Sequence, residues 1–278
     1  MALPQLGVCS WSLQAKSVPE LVKLMNEVGA AVTQVALGDP NHATWQEGAG
    51  IVAALRRAPL ELSAAMIGYP GEDYTTPETI RRTGGFGDPA TRAERLQIFK
   101  QAVDMTAELG LKILASHAGF IPPAGDEARG PFLDCLYEAA SYAAGKGVTF
   151  AMETGQETAD LLRRTLDELS MDNLKVNFDP ANMILYDMGD PIRAVDVLGP
   201  DIVHVHVKDA LPPKAKGEWG TEVPLGKGKV GVAAFLEALA NAEYQGPLVV
   251  EREVGTQEER VRDIRDGIHL LRKLITGA

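Results

Sequence analysis

The feature that most constrains the fold of this chain is a regular alternation of short apolar segments with longer amphipathic ones. The short segments have the length, and most have the β-branched residues, typical of strands, whereas the amphipathic segments between them have the apolar spacing of helices. The predicted strands are LGVCSW from residue 6, VTQVAL from 32, LELSAAMI from 60, LKILASH from 111, VTFAMET from 148, LKVNFD from 174, DIVHVHV from 201 and PLVVERE from 247.

This alternation predicts a parallel sheet with right-handed crossover connections. Eight repeats of the unit predict an α/β protein whose residues 1–278 form a single domain, a closed (β/α)8 TIM barrel. An open Rossmann sheet is the competing fold, but the first strand-to-helix turn lacks G-x-G-x-x-G. The glycine-rich segment PLGKGKVG precedes the seventh helix and does not have the spacing of a Walker loop.

Charge and composition exclude some classes of function. The formal charge of −11 disfavours a nucleic-acid surface, and no apolar run approaches the length of a membrane span. The N-terminus lacks the basic region of a secretory signal, so we expect a cytoplasmic protein. Cys9 falls in a predicted strand and Cys135 in a predicted helix, and we expect no disulfide between them. A homo-oligomer is compatible with the sequence.

Polar side chains collect at the carboxyl ends of the last four strands. In a barrel strand alternate side chains face the lumen, so the valines of DIVHVHV face the helices and its polar residues face inward. The same alternation turns acidic side chains inward at the ends of the neighbouring strands. The four residues predicted to meet in one arc are Glu153, Asp179, His206 and Glu251.

Three carboxylates that share a site repel one another unless a cation or protons intervene. A divalent metal resolves this repulsion, and one imidazole with three carboxylates suits Mn, Mg or Co better than a structural zinc site. A structural zinc would favour thiolates, and we expect neither cysteine to lie near the arc.

Further residues are expected around this arc. His117 at the end of the fourth strand and Lys208 above His206 are candidate substrate contacts, and Trp11 is a candidate pocket wall or a core residue. His204 lies one layer deeper and is either a metal ligand or a group that packs beneath the ligands and supports them. The two remaining histidines, His42 and His269, are expected at the surface.

Two connections are long for a compact domain. Residues 69–88 follow the third strand and residues 210–230 follow the seventh, which places both at the carboxyl face of a barrel. Segments of this length are usually either functional lids or disordered, and we expect both to cover the pocket. Trp219 is either a cover for the pocket or an apolar anchor of its own segment.

The segments AMETG, VNFDPANM, VHVHVKD and LVVERE give the chain a resemblance to the xylose isomerase-like TIM-barrel superfamily. The resemblance runs along the whole chain and is to the sugar (phosphate) isomerase and epimerase branch. It implies one divalent metal, commonly manganese, with magnesium, cobalt or zinc as alternatives, held by Glu153, Asp179, His206 and Glu251. It also implies a carbohydrate substrate, and in the epimerases the two glutamates act as acid and base on opposite faces of the sugar.

The sequence departs from the ketose 3-epimerases of this superfamily at two places. Asn182 stands where those enzymes tend to carry a histidine, and VKDA follows the second histidine where they tend to have Gly-Glu. We take Asn182 as a further candidate substrate-binding residue. These departures leave the identity of the sugar or keto-sugar open.

Such a site predicts chemistry at a carbon beside a carbonyl. A metal chelated by the carbonyl and a neighbouring hydroxyl acidifies the C–H and stabilises an enediolate, while a glutamate removes the proton. Epimerisation, aldose–ketose isomerisation and the loss of a β-hydroxyl in an inosose-type dehydratase all use the same residues. A metal-dependent phosphodiesterase or endonuclease is a remote alternative, because such sites hold a richer set of histidines. A non-catalytic sugar-binding barrel would lack one glutamate or the metal.

Overall fold

The computed structural model describes residues 3–38 and 45–277. In it, eight parallel strands form a closed barrel. All eight predicted strands are present, so the prediction of a TIM barrel is confirmed. In order around the barrel they are β1 (Leu6–Cys9), β10 (Leu248–Val250), β7 (Ile202–Val207), β6 (Leu174–Phe178), β5 (Thr149–Glu153), β4 (Ile113–Ser116), β3 (Glu61–Met66) and β2 (Val32–Ala36).

Helices follow the strands and cover the outside of the barrel. The first begins where the Ser17 side chain accepts the backbone N–H of Glu20, and it ends at Gly29, whose φ of +73° few other residues adopt. The helices are α1 (Val18–Val28), α2 (Ile51–Arg57), α3 (Pro77–Thr83), α4 (Arg92–Glu108), α5 (Arg129–Gly145), α6 (Ala159–Leu169), α7 (Pro180–Leu185), α8 (Pro191–Leu198), α9 (Val232–Asn241) and α10 (Gln257–Thr276).

Both long connections contain secondary structure that the sequence did not predict. Residues 69–88 include α3, and the segment after β7 forms an antiparallel hairpin of β8 (Asp209–Leu211) and β9 (Thr221–Val223). Trp11, which was placed in the first predicted strand, lies instead in a short 3-10 turn over residues 10–13.

The predicted division between outward and inward side chains is confirmed. Phe150 on β5 contacts Phe99 of α4, with 4.5 Å between ring centroids, and Phe178 on β6 stacks on Phe235 of α9 at 5.7 Å. These outward rings form the layer between sheet and helices. The lumen is therefore left to the polar side chains of the same strands.

Other expectations concern single residues. Cys9 and Cys135 are both buried and both free, as expected. His269 is exposed on α10, also as expected, while His42 lies outside the described residues. Among the helices of residues 3–38 and 45–277, none is long and apolar enough to cross a bilayer.

Candidate active site

Four side chains from consecutive strands meet at the carboxyl end of the barrel. Glu153 ends β5, Asp179 directly follows β6, His206 lies near the end of β7 and Glu251 directly follows β10. One ligand atom of each lies within 4.8 Å of those of the others, and all four residues are buried. The structure thus brings together the arc that the alternation of the strands predicted.

Asp179 divides its two carboxylate oxygens between two tasks. Oδ1 accepts the backbone N–H groups of Ala181 at 2.7 Å and Asn182 at 2.9 Å, and so caps the first turn of α7. Oδ2 is buried beside His206 and has no hydrogen-bond partner within the described ranges. A buried acceptor without a donor is costly, and a cation at this point would satisfy it.

The imidazole of His206 is oriented by two different environments. Its Nε2 lies 2.5 Å from the side-chain oxygen of Gln34 on β2, so this nitrogen carries a proton and donates it. Its Nδ1 faces the carboxylates of Glu153, Asp179 and Glu251 at 3.1, 3.7 and 3.6 Å. Because Gln34 holds the proton on Nε2, Nδ1 is the nitrogen that faces the carboxylates, and it would release its own proton to bind a metal.

Glu153 is surrounded by one amide and two imidazoles, one of which is that of His206. Its Oε1 accepts a hydrogen bond from the Asn182 amide at 3.1 Å, and its Oε2 lies 3.3 Å from Nε2 of His117. Both of these neighbours were predicted as substrate-binding residues, and both line the cavity described below.

Glu251 is contacted by an indole N–H and by an ammonium. The indole N–H of Trp11 donates to its Oε1 at 2.8 Å, and the Lys208 ammonium donates to its Oε2 at 2.9 Å. Lys208 also contacts Glu253 at 2.5 Å and Glu222 at 3.8 Å. Burial lowers the pKa of Lys208, but these carboxylates outweigh burial and hold it well above its usual value. The ammonium, which was expected to meet a substrate oxygen, lies within a group of protein carboxylates at the wall of the cavity.

The charges of the cluster are strongly coupled. Burial raises the pKa of Asp179, yet the charges of Lys208 and His206 bring it below its usual value. Burial lowers the pKa of His206, whereas Cys9, Glu251 and other neighbours raise it well above its usual range. Burial also raises the pKa of Glu251, against the effect of Lys208.

The expectation that neither cysteine lies near the site is wrong for Cys9. Its sulfur lies 3.8 Å from the side-chain oxygen of Gln34 and forms a second close group with His206 and Glu251. The closed barrel predicted from the sequence places the first strand beside the last, but the approach of the sulfur to His206 depends on distances inside the lumen. Burial raises the pKa of this thiol to about 12, so without a metal it stays protonated.

His204 lies one layer below His206 and is fully paired. Its Nδ1 contacts the Asn177 side-chain oxygen at 2.7 Å, and its Nε2 contacts the Ser63 hydroxyl at 3.1 Å. Burial lowers the pKa of His204 and the charge of His206 lowers it further, so this imidazole is neutral. Of the two predicted roles, the structure favours packing beneath the site.

A cavity of about 860 Å³ opens above these residues. All four predicted substrate-binding residues line it, together with parts of both long connections, residues 71–75 and residues 219, 220 and 222. Trp219 contacts the ring of Tyr186, with 4.7 Å between centroids, and both rings belong to the cavity wall. The predicted substrate-binding residues are Trp11, His117, Asn182 and Lys208.

Sequence reasoning missed the residues that support the site from other strands. Gln34 on β2 contacts His206, and Glu222 and Glu253 surround Lys208. The polar pair Thr33 and Gln34 inside the apolar segment VTQVAL was a usable signal, because a fully buried strand seldom carries an amide without a partner.

Comparison with known proteins adds four likenesses, to one family model, one curated relative and two solved structures. Residues 22–274 match the family model described as xylose isomerase-like TIM barrel. The L-ribulose-5-phosphate 3-epimerase UlaE of Salmonella paratyphi B is 28% identical over 186 residues, which are 65% of this chain and 63% of that protein. The chain therefore matches less than two thirds of the length of this curated relative.

Two solved structures have the same fold. A xylose isomerase domain protein from Planctomyces limnophilus superposes with a TM-score of 0.89 and 29% identity, covering 100% of both chains. A structure of L-ribulose 3-epimerase has a TM-score of 0.74 and 17% identity, covering 99% of this chain and 95% of that one. At that identity the second likeness shows the fold alone.

Proposed function

This chain belongs to the xylose isomerase-like TIM barrel family, and from that premise we propose that it is a metal-dependent sugar or keto-sugar isomerase. We propose that it works as an epimerase or as an aldose–ketose isomerase. The observation that carries the proposal is the position of Glu153 and Glu251. They come from opposite ends of a four-residue cluster able to hold a metal ion, and both face the cavity.

The proposed metal ligands are Glu153, Asp179, His206 and Glu251. Their donor set of carboxylate oxygens and one imidazole fits Mn best among the expected ions, with Mg, Co or Zn as alternatives. The unpaired Oδ2 of Asp179 supports this assignment. When bound, a divalent ion would supply a Lewis acid that acidifies a C–H beside a substrate carbonyl and stabilises the enediolate.

We assign proton transfer to the two glutamates. General base catalysis of this kind contributes roughly 10²–10⁴-fold to a rate. Glu153 is oriented by His117 and Asn182. Glu251 is oriented by Trp11 and Lys208. The two carboxylates therefore have separate neighbours that fix their orientation. One glutamate removes the proton, and the other returns it from the opposite face, which inverts the carbon.

The fate of the proton decides the reaction type. Return to the adjacent carbon would give an aldose–ketose isomer, and loss of a β-hydroxyl would make the protein an inosose-type dehydratase. All of these outcomes use the same residues, so the dehydratase remains an alternative result of the experiment. A phosphodiesterase is disfavoured, because the groups able to hold a metal in residues 3–38 and 45–277 share His206 and therefore form one site.

The test is a reaction in D2O followed by NMR. The purified protein, loaded with Mn, is incubated with ketoses, keto-sugars and inosose, and a sample treated with a chelator serves as control. We expect an epimer or isomer carrying deuterium at the reacting carbon, and no product after removal of the metal. Turnover that does not depend on metal, or a product without deuterium, would contradict the proposed mechanism. A product lacking a hydroxyl would identify a dehydratase.

A further inference from the structure

We infer that the sugar bound at this site carries no phosphate group. The inference rests on the proposed function and narrows its substrate class. It depends on three features of the cavity: the charge of its wall, the partners of its lysine, and the state of two backbone segments that could otherwise bind an anion.

The wall of the cavity is strongly acidic. Six carboxylates line it, whereas its basic side chains, as far as the structure describes them, are His117 and Lys208. A divalent ion would offset part of this charge but would still leave a surplus of negative groups. A sugar phosphate would therefore be repelled by the negative charge of the wall, and this repulsion would weaken its binding relative to the uncharged sugar. The six acidic residues are Glu72, Asp73, Glu153, Glu222, Glu251 and Glu253.

The ammonium of Lys208 is not free to attract a phosphate into this acidic cavity, because it is already paired with carboxylates of the protein. It is 2% exposed and donates to Glu251 and Glu253 at 2.9 and 2.5 Å, and Glu222 and Asp179 lie within 4.0 Å. A phosphate would have to replace one of these carboxylates to pair with the ammonium. Such an exchange would leave a buried carboxylate without its partner.

Neighbouring arginines are also engaged. Arg252 pairs with Glu222 at 2.6 Å and with Asp263 at 3.1 Å. Arg260 donates to the backbone carbonyls of Gly255, Trp11 and Glu253, and neither arginine lines the cavity.

Lysine or arginine side chains that pair with a phosphate could also come from two further segments. Lys214 and Lys216 are exposed in the connection between β8 and β9 and do not line the cavity. Residues 39–44, DPNHAT, contain no lysine or arginine.

The glycine-rich segment PLGKGKVG is closed by the protein's own carboxylate. The side chain of Asp209 accepts the backbone N–H groups of Gly226 at 2.9 Å, Gly228 at 2.8 Å and Val230 at 3.1 Å. In TIM barrels phosphate is frequently bound by the loops after strands seven and eight and by a helix N-terminus. Here Asp209 occupies the place that a phosphate would take in the first of these loops.

The backbone N–H groups after the eighth strand of the barrel are also bound by side chains of the protein. After β10, the first turn of α10 begins with a capping box in which Thr256 and Glu259 satisfy each other's backbone N–H groups. Glu258 adds another negative charge to that turn. Both backbone sites suited to a phosphate are thus occupied by side-chain acceptors of the chain itself.

The inference is tested with matched pairs of sugars. L-ribulose and L-ribulose 5-phosphate, and D-fructose and D-fructose 6-phosphate, are titrated into the Mn-loaded protein. Binding is followed by tryptophan fluorescence, because Trp11 and Trp219 line the cavity, and deuterium exchange is followed by NMR. We expect the uncharged member of a pair to bind and exchange at least about 10-fold better than its ester. Equal or better binding of the esters would overturn the inference.

Two variants identify the source of the discrimination. Glu253→Gln removes a carboxylate at the rim of the cavity, and Glu237→Gln removes an exposed one on α9, outside the cavity wall. We expect Glu253→Gln to reduce the ratio of the affinity for an uncharged sugar to that for its phosphate ester, and Glu237→Gln to leave this ratio unchanged. If both variants changed the ratio equally, the charge of the cavity wall would not be the cause of the discrimination.

The same data separate the inference from the proposed activity. If no sugar exchanges deuterium while uncharged sugars still bind in preference to their esters, the proposed activity fails and the inference stands. Exchange that is faster with the esters would support the activity and contradict the inference.

Discussion

Gln34 on β2 and His206 on β7 meet across the lumen of the barrel, with 2.5 Å between the amide oxygen and Nε2 of the imidazole. The two strands are not neighbours in the sheet, so the contact depends on the closure of the barrel. The amide holds the Nε2 proton of His206 and turns Nδ1 towards the three carboxylates. Partners of this kind tune metal affinity as well as ligand orientation.

We therefore predict that Gln34→Ala lowers the affinity for Mn by about 10–100-fold, because His206 loses the acceptor that fixes its proton and its ring. The affinity is measured by titration calorimetry with the metal-free protein. Gln101→Ala, at an exposed position of α4, is the matched control and should bind Mn as the wild type does. An unchanged affinity in Gln34→Ala would show that the amide has no part in metal binding.

A second prediction separates the two tasks of Asp179. Asn is as good an N-cap as Asp, so Asp179→Asn should keep the cap of α7 while weakening metal binding. Asp179→Ala should lose both, and its free energy of unfolding without metal should be lower than that of Asp179→Asn by about 0.5–2 kcal/mol. Chemical denaturation and metal titration of the two variants check these values. Equal stabilities would mean that the hydrogen bonds of Oδ1 do not stabilise the helix.

Much of this fold and site follows from the sequence, for a physical reason. Alternation with a period of two decides which side of a strand faces the lumen, and parallel strands bring their carboxyl ends to one edge. Glu153 and Glu251 could therefore be placed in one arc although they are far apart in the chain. The outward rings of Phe150 and Phe178 follow from the same alternation.

What the sequence did not predict depends on distances across the lumen and on loop conformation. The contact of Gln34 with His206 and the approach of Cys9 require the diameter of the closed barrel. The group of carboxylates around Lys208 requires the position of Glu222 in a hairpin that has no strand pattern of its own. The closure of PLGKGKVG by Asp209 is likewise a matter of backbone conformation.

A third prediction concerns Gly155, which follows β5 with a φ of +131°. A Cβ added there would lie 2.4 Å from the Cβ of Asn182, the residue that donates to Glu153. Gly155→Ala should therefore combine backbone strain with displacement of Asn182, and should lower both stability and metal affinity.

Gly189→Ala is the matched control, because Gly189 has a φ of +120° and open space around its Cα. Gly189→Ala should lower the free energy of unfolding only by the cost of the backbone strain, on the order of 1–3 kcal/mol. Its affinity for the metal should be unchanged. If Gly155→Ala were no less stable than Gly189→Ala and bound Mn equally well, the packing of Asn182 against this turn would have no consequence for the site.

The last prediction concerns Glu153 and Glu251 as acid and base. Replacement by Gln keeps the shape and an oxygen ligand but removes the ability to take a proton. Each of Glu153→Gln and Glu251→Gln should therefore retain Mn, while turnover falls by on the order of 10²-fold or more. Metal content is measured on the purified variants, turnover on the sugar found active, and deuterium exchange by NMR. Glu237→Gln removes a carboxylate outside the cavity and should leave all three measurements unchanged. If either variant with full metal occupancy kept a rate near that of the wild type, the two-glutamate mechanism would fail. His117 beside Glu153 would then be the next candidate base, because the raised pKa of Lys208 keeps that side chain protonated.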